Sequence, residues 1–65
     1  MTDHRPLADP RTIAEFLGTT TQQLAQDRYR GQGPKFIRVG RRVRYRWTDV
    51  EAWLDANTRI STGAA

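Results

Sequence analysis

The sequence predicts a mainly α domain with one small β-hairpin, in the order helix, helix, hairpin, helix. Two short apolar stripes at helical spacing come first. Alternating apolar and basic residues follow a glycine- and proline-rich break, and a third helical stripe comes last. A chain of 65 residues is long enough for one domain with one small core.

The first helix is predicted to begin at Asp9-Pro10, an N-cap residue followed by proline at the first helical position. Its apolar face comprises Ile13, Ala14, Phe16 and Leu17. Gly18 ends the helix, because glycine readily adopts the left-handed conformation of a helix C-terminus. Residues 1–8 show no periodicity and are expected to form a flexible N-terminal arm.

The second helix is predicted from Thr21 to about Tyr29, with Thr20 as its N-cap and Leu24 as its apolar anchor. It ends before the breaker segment Gly31–Pro34. The spacing of Ala14, Gly18 and Leu24 is typical of a helix-turn-helix, which needs a small residue at the crossing, a turn glycine and one buried anchor.

The hairpin is predicted from a period-two pattern on either side of Gly40-Arg41, which is expected to form a type II′ turn. The apolar positions are Ile37, Val39, Val43, Tyr45 and Trp47, and the basic positions between them are Arg38, Arg42, Arg44 and Arg46. The alternation predicts one apolar face and one arginine face. With the helices, it gives a winged helix-turn-helix of order α-α-β-β-α.

The third helix is predicted to start at a capping box formed by Thr48 and Glu51 and to end near Asn57. The domain is expected to span residues 9–57, and residues 58–65 are expected to be a flexible C-terminal tail. The predicted core comprises Ile13, Phe16, Leu17, Leu24, Ile37, Val39, Val43, Trp47, Val50, Trp53 and Leu54.

The charge is concentrated in one segment, from Arg28 to Arg46, which holds eight basic and no acidic residues, while the rest of the chain has a net charge of −4. This asymmetry indicates a polyanionic partner, and arginine suits phosphate and base-edge recognition. The candidate hairpin contacts are Arg38, Arg41, Arg42, Arg44 and Arg46. The alternative is a charged strand edge that discourages aggregation.

In a helix-turn-helix the second helix enters the major groove of DNA. The candidate contacts on this helix are Thr20, Thr21, Gln22, Gln23, Gln26, Arg28 and Arg30. Glutamine can bind adenine through two hydrogen bonds, and threonine can contact a thymine methyl group or a phosphate. The alternative is an ordinary solvated helix surface.

Other function classes find no support in the sequence. The chain has no cysteine and one histidine, His4, so no thiolate or multi-histidine metal site is expected, and no cofactor. No catalytic motif is present, which predicts that the protein is not an enzyme. No apolar run is long enough for a membrane span or a signal peptide, so a cytoplasmic protein is expected.

Three segments resemble one family: GPKFIRVGRRVRY at 33–45, DVEAWL at 49–54 and IAEFLG at 13–18. Together they resemble the excisionase-type, MerR-like winged helix-turn-helix domains of phage and actinobacterial small proteins, in particular mycobacteriophage excisionases (recombination directionality factors). The resemblance spans Leu7 to Asp55. It implies a recognition helix over Thr20–Arg30 and a wing over Val39–Val43. The family usually has a bulky apolar residue where this chain has Asp27, and pairing with Arg28 or Arg30 is expected to compensate.

The resemblance also implies a function. Such proteins bind double-stranded DNA near a phage attachment site, cooperatively and head-to-tail, and bend it so that phage integrase assembles an excisive complex. They catalyse nothing. Small AlpA-like transcriptional regulators have the same architecture and remain an alternative. A third possibility, of another class, is an arginine-rich adaptor for RNA or an acidic protein.

Overall fold

A computed structural model describes residues 5–58 and confirms the predicted element order. The elements are α1 (Pro10–Leu17), α2 (Thr21–Tyr29), β1 (Ile37–Val39), β2 (Arg42–Arg44) and α3 (Trp47–Asn57). The two strands form an antiparallel sheet, which we call the hairpin. The fold is mainly α with a small β-hairpin and has the element order of a winged helix-turn-helix.

The helix-turn-helix is built by the predicted capping residues. The Asp9 carboxylate accepts a hydrogen bond from the Thr12 amide at 2.8 Å at the start of α1. Gly18 ends α1 with φ 73°, a left-handed conformation that favours glycine. The Thr20 hydroxyl oxygen accepts from the Gln23 amide at 3.0 Å and caps α2. Three residues therefore suffice to turn the chain between the helices.

The core agrees in part with the predicted one: Ile13, Leu24 and Val50 are buried as expected, and Ala8, Ala14 and Tyr45 are buried in addition. The buried apolar residues are Ala8, Ile13, Ala14, Leu24, Tyr45 and Val50, and the half-buried ones packed against them are Leu17, Val43, Trp47 and Leu54. The predictions for Phe16 and Val39 are wrong, since these side chains are 54% and 52% exposed. Phe16 packs edge-on against Trp47 at the rim, with ring centroids 5.1 Å apart.

The register of the hairpin divides the arginines between its two faces. Paired residues are Ile37 with Arg44, Arg38 with Val43, and Val39 with Arg42. Directly paired side chains lie on the same face of a sheet. Arg42 and Arg44 therefore share one face and Arg38 lies on the other, so the prediction of a single arginine face is wrong. The cause is the two-residue turn at Gly40-Arg41. The residues on either side of it, Val39 and Arg42, pair directly and share a face, whereas counting alternate positions along the chain would put them on opposite faces.

The third helix begins two residues earlier than the predicted capping box requires. Its N-cap is Arg46, which makes no side-chain capping hydrogen bond, and Thr48 lies inside the first turn. The box predicted from Thr48 and Glu51 is therefore wrong. Starting the helix at Trp47 places Trp47, Val50 and Leu54 on one stripe facing the core. Burial of this stripe outweighs one local cap.

The last residue of the predicted N-terminal arm belongs to the packed domain. Ala8 is 6% exposed, and its backbone pairs with Tyr45 through hydrogen bonds of 2.9 and 2.8 Å. Arg5 also forms an ion pair with Glu51 at 3.1 Å. The arm predicted for residues 1–8 thus ends earlier in the structure. Residues 1–4 of the predicted arm and 59–65 of the predicted tail lie outside the described residues.

Candidate nucleic-acid interface

An outward stripe on α2 consists of Gln22, Gln26 and Tyr29. These residues are spaced four and three apart, so they lie on one face of the helix, nearly opposite the buried Leu24. All three are exposed, and Tyr29 is 92% exposed. Sequence reasoning left Tyr29 out of the site, although its helical spacing from the two glutamines was a signal for including it. The stripe presents hydrogen-bonding groups and one aromatic ring.

The first turn of α2 is polar and exposed. Thr20, Thr21, Gln22 and Gln23 are all exposed at this end of the helix. Two of them already make hydrogen bonds: the Thr20 hydroxyl oxygen caps the helix, and the Gln23 side-chain amide donates to Asp27 Oδ1 at 3.0 Å. Thr21 and Gln22 make no side-chain hydrogen bond within residues 5–58, so their polar groups are available to a partner.

Asp27 lies on a different surface from the outward stripe. It is half-buried and lines an apolar groove of about 380 Å³ together with Leu17, Leu24, Trp53 and other residues of the helices. Its carboxylate accepts from Gln23 and forms no ion pair with Arg28 or Arg30 in the part of the chain that the structure describes. The expected arginine pairing is therefore wrong. A hydrogen bond one turn back along α2 satisfies the carboxylate instead.

Arg28 points into the molecule. Its guanidinium Nη1 donates to the Tyr45 hydroxyl at 2.8 Å and lies 5.7 Å from the centroid of the Phe36 ring. It is half-buried, whereas Arg30 at the end of α2 is exposed. The sequence grouped both as candidate DNA contacts, but the structure gives the Arg28 guanidinium an internal partner. That partner lies 17 residues away along the chain and could not be inferred from local spacing.

The turn of the hairpin exposes its arginines to solvent. Arg38, Arg41 and Arg42 are exposed, and their side chains make no hydrogen bond or ion pair among residues 5–58. Gly40 has φ 63°, while Arg41 does not have positive φ, which agrees with the predicted type II′ turn. Val39 is also exposed beside them, paired across the hairpin with Arg42. The turn thus combines positive charge with one apolar side chain.

Arg44 and Arg46 have partners within the molecule. Arg44 is half-buried and donates to the Val43 carbonyl oxygen at 2.7 Å. Arg46 is exposed and forms an ion pair with Asp49 at 3.4 Å. These two predicted contacts are thus less available than the three nearer the turn. Five exposed cations of the basic segment have no internal side-chain partner in the described chain: Arg30, Lys35, Arg38, Arg41 and Arg42.

The Asp9 carboxylate at the start of α1 has a lowered pKa. Hydrogen bonds from the Thr12 amide and hydroxyl lower the pKa of Asp9 below its ordinary value of 3.8, against a small opposing effect of desolvation. The positive charges of Arg44 and Arg11 lower this pKa further.

The geometry defines a winged helix-turn-helix with an exposed polar helix face and a basic hairpin turn. Comparison of the chain with protein-family models, curated proteins and solved structures finds no match. Within residues 5–58, no three acidic, histidine or cysteine side chains are grouped so that they could hold a metal ion. None of the described helices is long and apolar enough to cross a membrane.

Proposed function

We propose that this protein binds double-stranded DNA, with α2 in the major groove and the hairpin turn against the backbone and the adjacent minor groove. The observation that carries the proposal is the hairpin turn, where Arg38, Arg41 and Arg42 are exposed without an internal partner. A strand edge protected against aggregation does not require three unpaired arginines at a turn. A polyanion supplies the missing counter-charges.

The dimensions of α2 suit B-form DNA. An α-helix with its side chains is about 10–12 Å in diameter, and the B-DNA major groove is about 12 Å wide, so α2 can enter the groove and its outward stripe can reach base edges. The major groove of A-form RNA is deep and narrow and admits no helix. Gln22 and Gln26 are the candidate base-reading residues, because each amide can bind adenine through two hydrogen bonds.

The resemblance to excisionase-type domains supports a finer proposal. In it, the protein binds repeated sites near a phage attachment site, cooperatively and head-to-tail, bends the DNA and directs phage integrase towards excision. A narrow minor groove concentrates negative potential and attracts arginine, which suits Arg41 and Arg42 at the hairpin turn. The protein contributes no catalytic residue to this recombination.

Two steps test DNA binding. A preferred sequence is selected from a random duplex library, and fluorescence anisotropy then compares binding to the selected duplex and to a scrambled one. Gln22→Ala and Gln26→Ala are expected to reduce discrimination between the two duplexes by about 1–3 kcal/mol each. The matched control is Gln32→Ala, because Gln32 is exposed outside the helices. If no sequence is enriched, or if the wild type binds the selected and the scrambled duplex equally, specific recognition by α2 is refuted.

The recombination role needs a separate experiment. A circular-permutation assay measures the bend, and an excision reaction with the integrase encoded near the selected sites measures direction. We expect a bent complex and excision that depends on the protein. Binding at a promoter with repression of transcription and no effect on excision would contradict the finer proposal and leave DNA binding intact.

A further inference from the structure

Arg28 connects α2 to both ends of the hairpin. Its guanidinium donates to the hydroxyl of Tyr45, the residue directly after β2, and lies over the ring of Phe36, the residue directly before β1. The two rings also contact each other, with centroids 6.4 Å apart. A single side chain of the proposed recognition helix therefore touches the entry and the exit of the hairpin.

The Tyr45 side of this cluster lies in the packed core. Tyr45 is completely buried, and its backbone is paired with Ala8 on the side away from β1. Within the described residues no carboxylate neutralises Arg28; its partners are a phenol oxygen and an aromatic face. Arginine is suited to this position, because its planar guanidinium can stack on a ring and donate in its own plane, which lysine cannot do.

The geometry points to Arg28 as a positioning residue that sets the angle between α2 and the hairpin, rather than as a DNA contact. This inference rests on the proposed function for its consequence. The turn lies about 13 Å beyond Phe36, so a tilt of about 15° at the base moves Arg41 and Arg42 by about 3 Å. That displacement is as long as a hydrogen bond and would take both arginines off their phosphates.

The test uses Tyr45→Phe and Arg28→Met, each in the wild-type and in the Arg41→Ala/Arg42→Ala background. Tyr45→Phe removes only the hydroxyl and keeps every charge. In the wild-type background we expect either variant to weaken binding to the selected duplex roughly tenfold, the value of one lost hydrogen bond to a charged group. In the background without the turn arginines the loss should fall below about twofold, because the misplaced contacts are already absent.

The salt dependence separates positioning from contact. In the wild-type background Tyr45→Phe should lower the magnitude of the slope of log affinity against log salt towards that of Arg41→Ala/Arg42→Ala, because the turn arginines leave their phosphates. In the background without the turn arginines it should leave the slope unchanged. If Arg28→Met lowers the slope by about 0.9 in both backgrounds, Arg28 contacts a phosphate and the inference is overturned. An equal loss of affinity in both backgrounds also overturns it, because general destabilisation would act regardless of the turn arginines.

A measurement on the free protein distinguishes failure of this inference from failure of the proposed function. Backbone ¹⁵N relaxation reports order at residues 38–42 without any DNA. Tyr45→Phe and Arg28→Met should lower the order parameters there and leave those of α1 unchanged. Unchanged order at the turn would refute the positioning role even if the protein binds DNA. Lowered order in a protein that binds no DNA would support the positioning role and refute the proposed function.

Discussion

Removing the charge at the hairpin turn should change how DNA binding responds to salt. Five exposed cations of the basic segment have no internal side-chain partner among residues 5–58, and Arg41 and Arg42 are two of them. If each cation neutralises one phosphate, the slope of log affinity against log salt is about −4.5 for the wild type and about −2.7 for Arg41→Ala/Arg42→Ala. Raising salt from about 50 to 200 mM then weakens the wild type roughly 500-fold and the double variant roughly 40-fold.

Anisotropy titrations of a labelled duplex at four salt concentrations give both slopes. Arg41→Ala alone should lower the magnitude of the slope by about 0.9. Arg11→Ala is the charge-matched control, because Arg11 is exposed on α1 outside the basic segment, and it should leave the slope unchanged. Equal slopes for the wild type and the double variant would show that the turn arginines do not contact phosphates.

Three further predictions concern stability. Leu24→Ala should cost about 2–5 kcal/mol, because Leu24 is 1% exposed, and urea unfolding followed by circular dichroism measures the cost; a loss below about 1 kcal/mol would contradict the core assignment. Thr20→Ala should lower the free energy of unfolding by about 1 kcal/mol, because it removes the hydroxyl that caps the Gln23 amide. Thr20→Ser should keep the cap and the stability in the same assay. Asp9→Asn should lower Tm at neutral pH. Because the folded pKa of Asp9 is lowered, its contribution to stability is present above the ordinary carboxyl pKa and is lost as pH falls through the lowered value. The two Tm values should therefore converge in acid, below the lowered pKa, and a constant difference would contradict this.

Local signals in the sequence predicted the helix-turn-helix accurately. Caps at Asp9 and Thr20 and the left-handed Gly18 act within a few residues, so the sequence shows them directly. The third helix shows the limit of this reasoning. Its capping box at Thr48 is equally local, yet packing of Trp47 against the core moved the helix start.

The core and the hairpin depended on pairings that alternation alone does not reveal. Tyr45 is completely buried because Ala8, 37 positions earlier, pairs with it and Arg28 satisfies its hydroxyl. Which face an arginine occupies depends on how many residues the turn contains, since the register follows from the turn. Counting alternate positions across Gly40-Arg41 therefore gave the wrong face for Arg38.

The candidate site was predicted as a region more successfully than as a set of residues. Composition indicated the basic segment, and Arg38, Arg41 and Arg42 are exposed in it as expected. Charge counting cannot distinguish a cation with an internal partner from one without, and Arg28 and Arg44 each donate to an oxygen of the protein itself. Five of the eight basic residues from Arg28 to Arg46 remain as candidate contacts.

An NMR titration of the ¹⁵N-labelled protein with the selected duplex tests the central claim most directly, because it maps the contact surface residue by residue. The account predicts that amide shift changes concentrate in Thr21–Gln26 and in residues 38–42, while residues around Trp53 in the apolar groove change little. Shift changes centred on that groove would contradict the account. So would the absence of any shift change with the duplex at a concentration of about 1 mM, roughly tenfold above the weakest dissociation constants typical of nonspecific DNA binding.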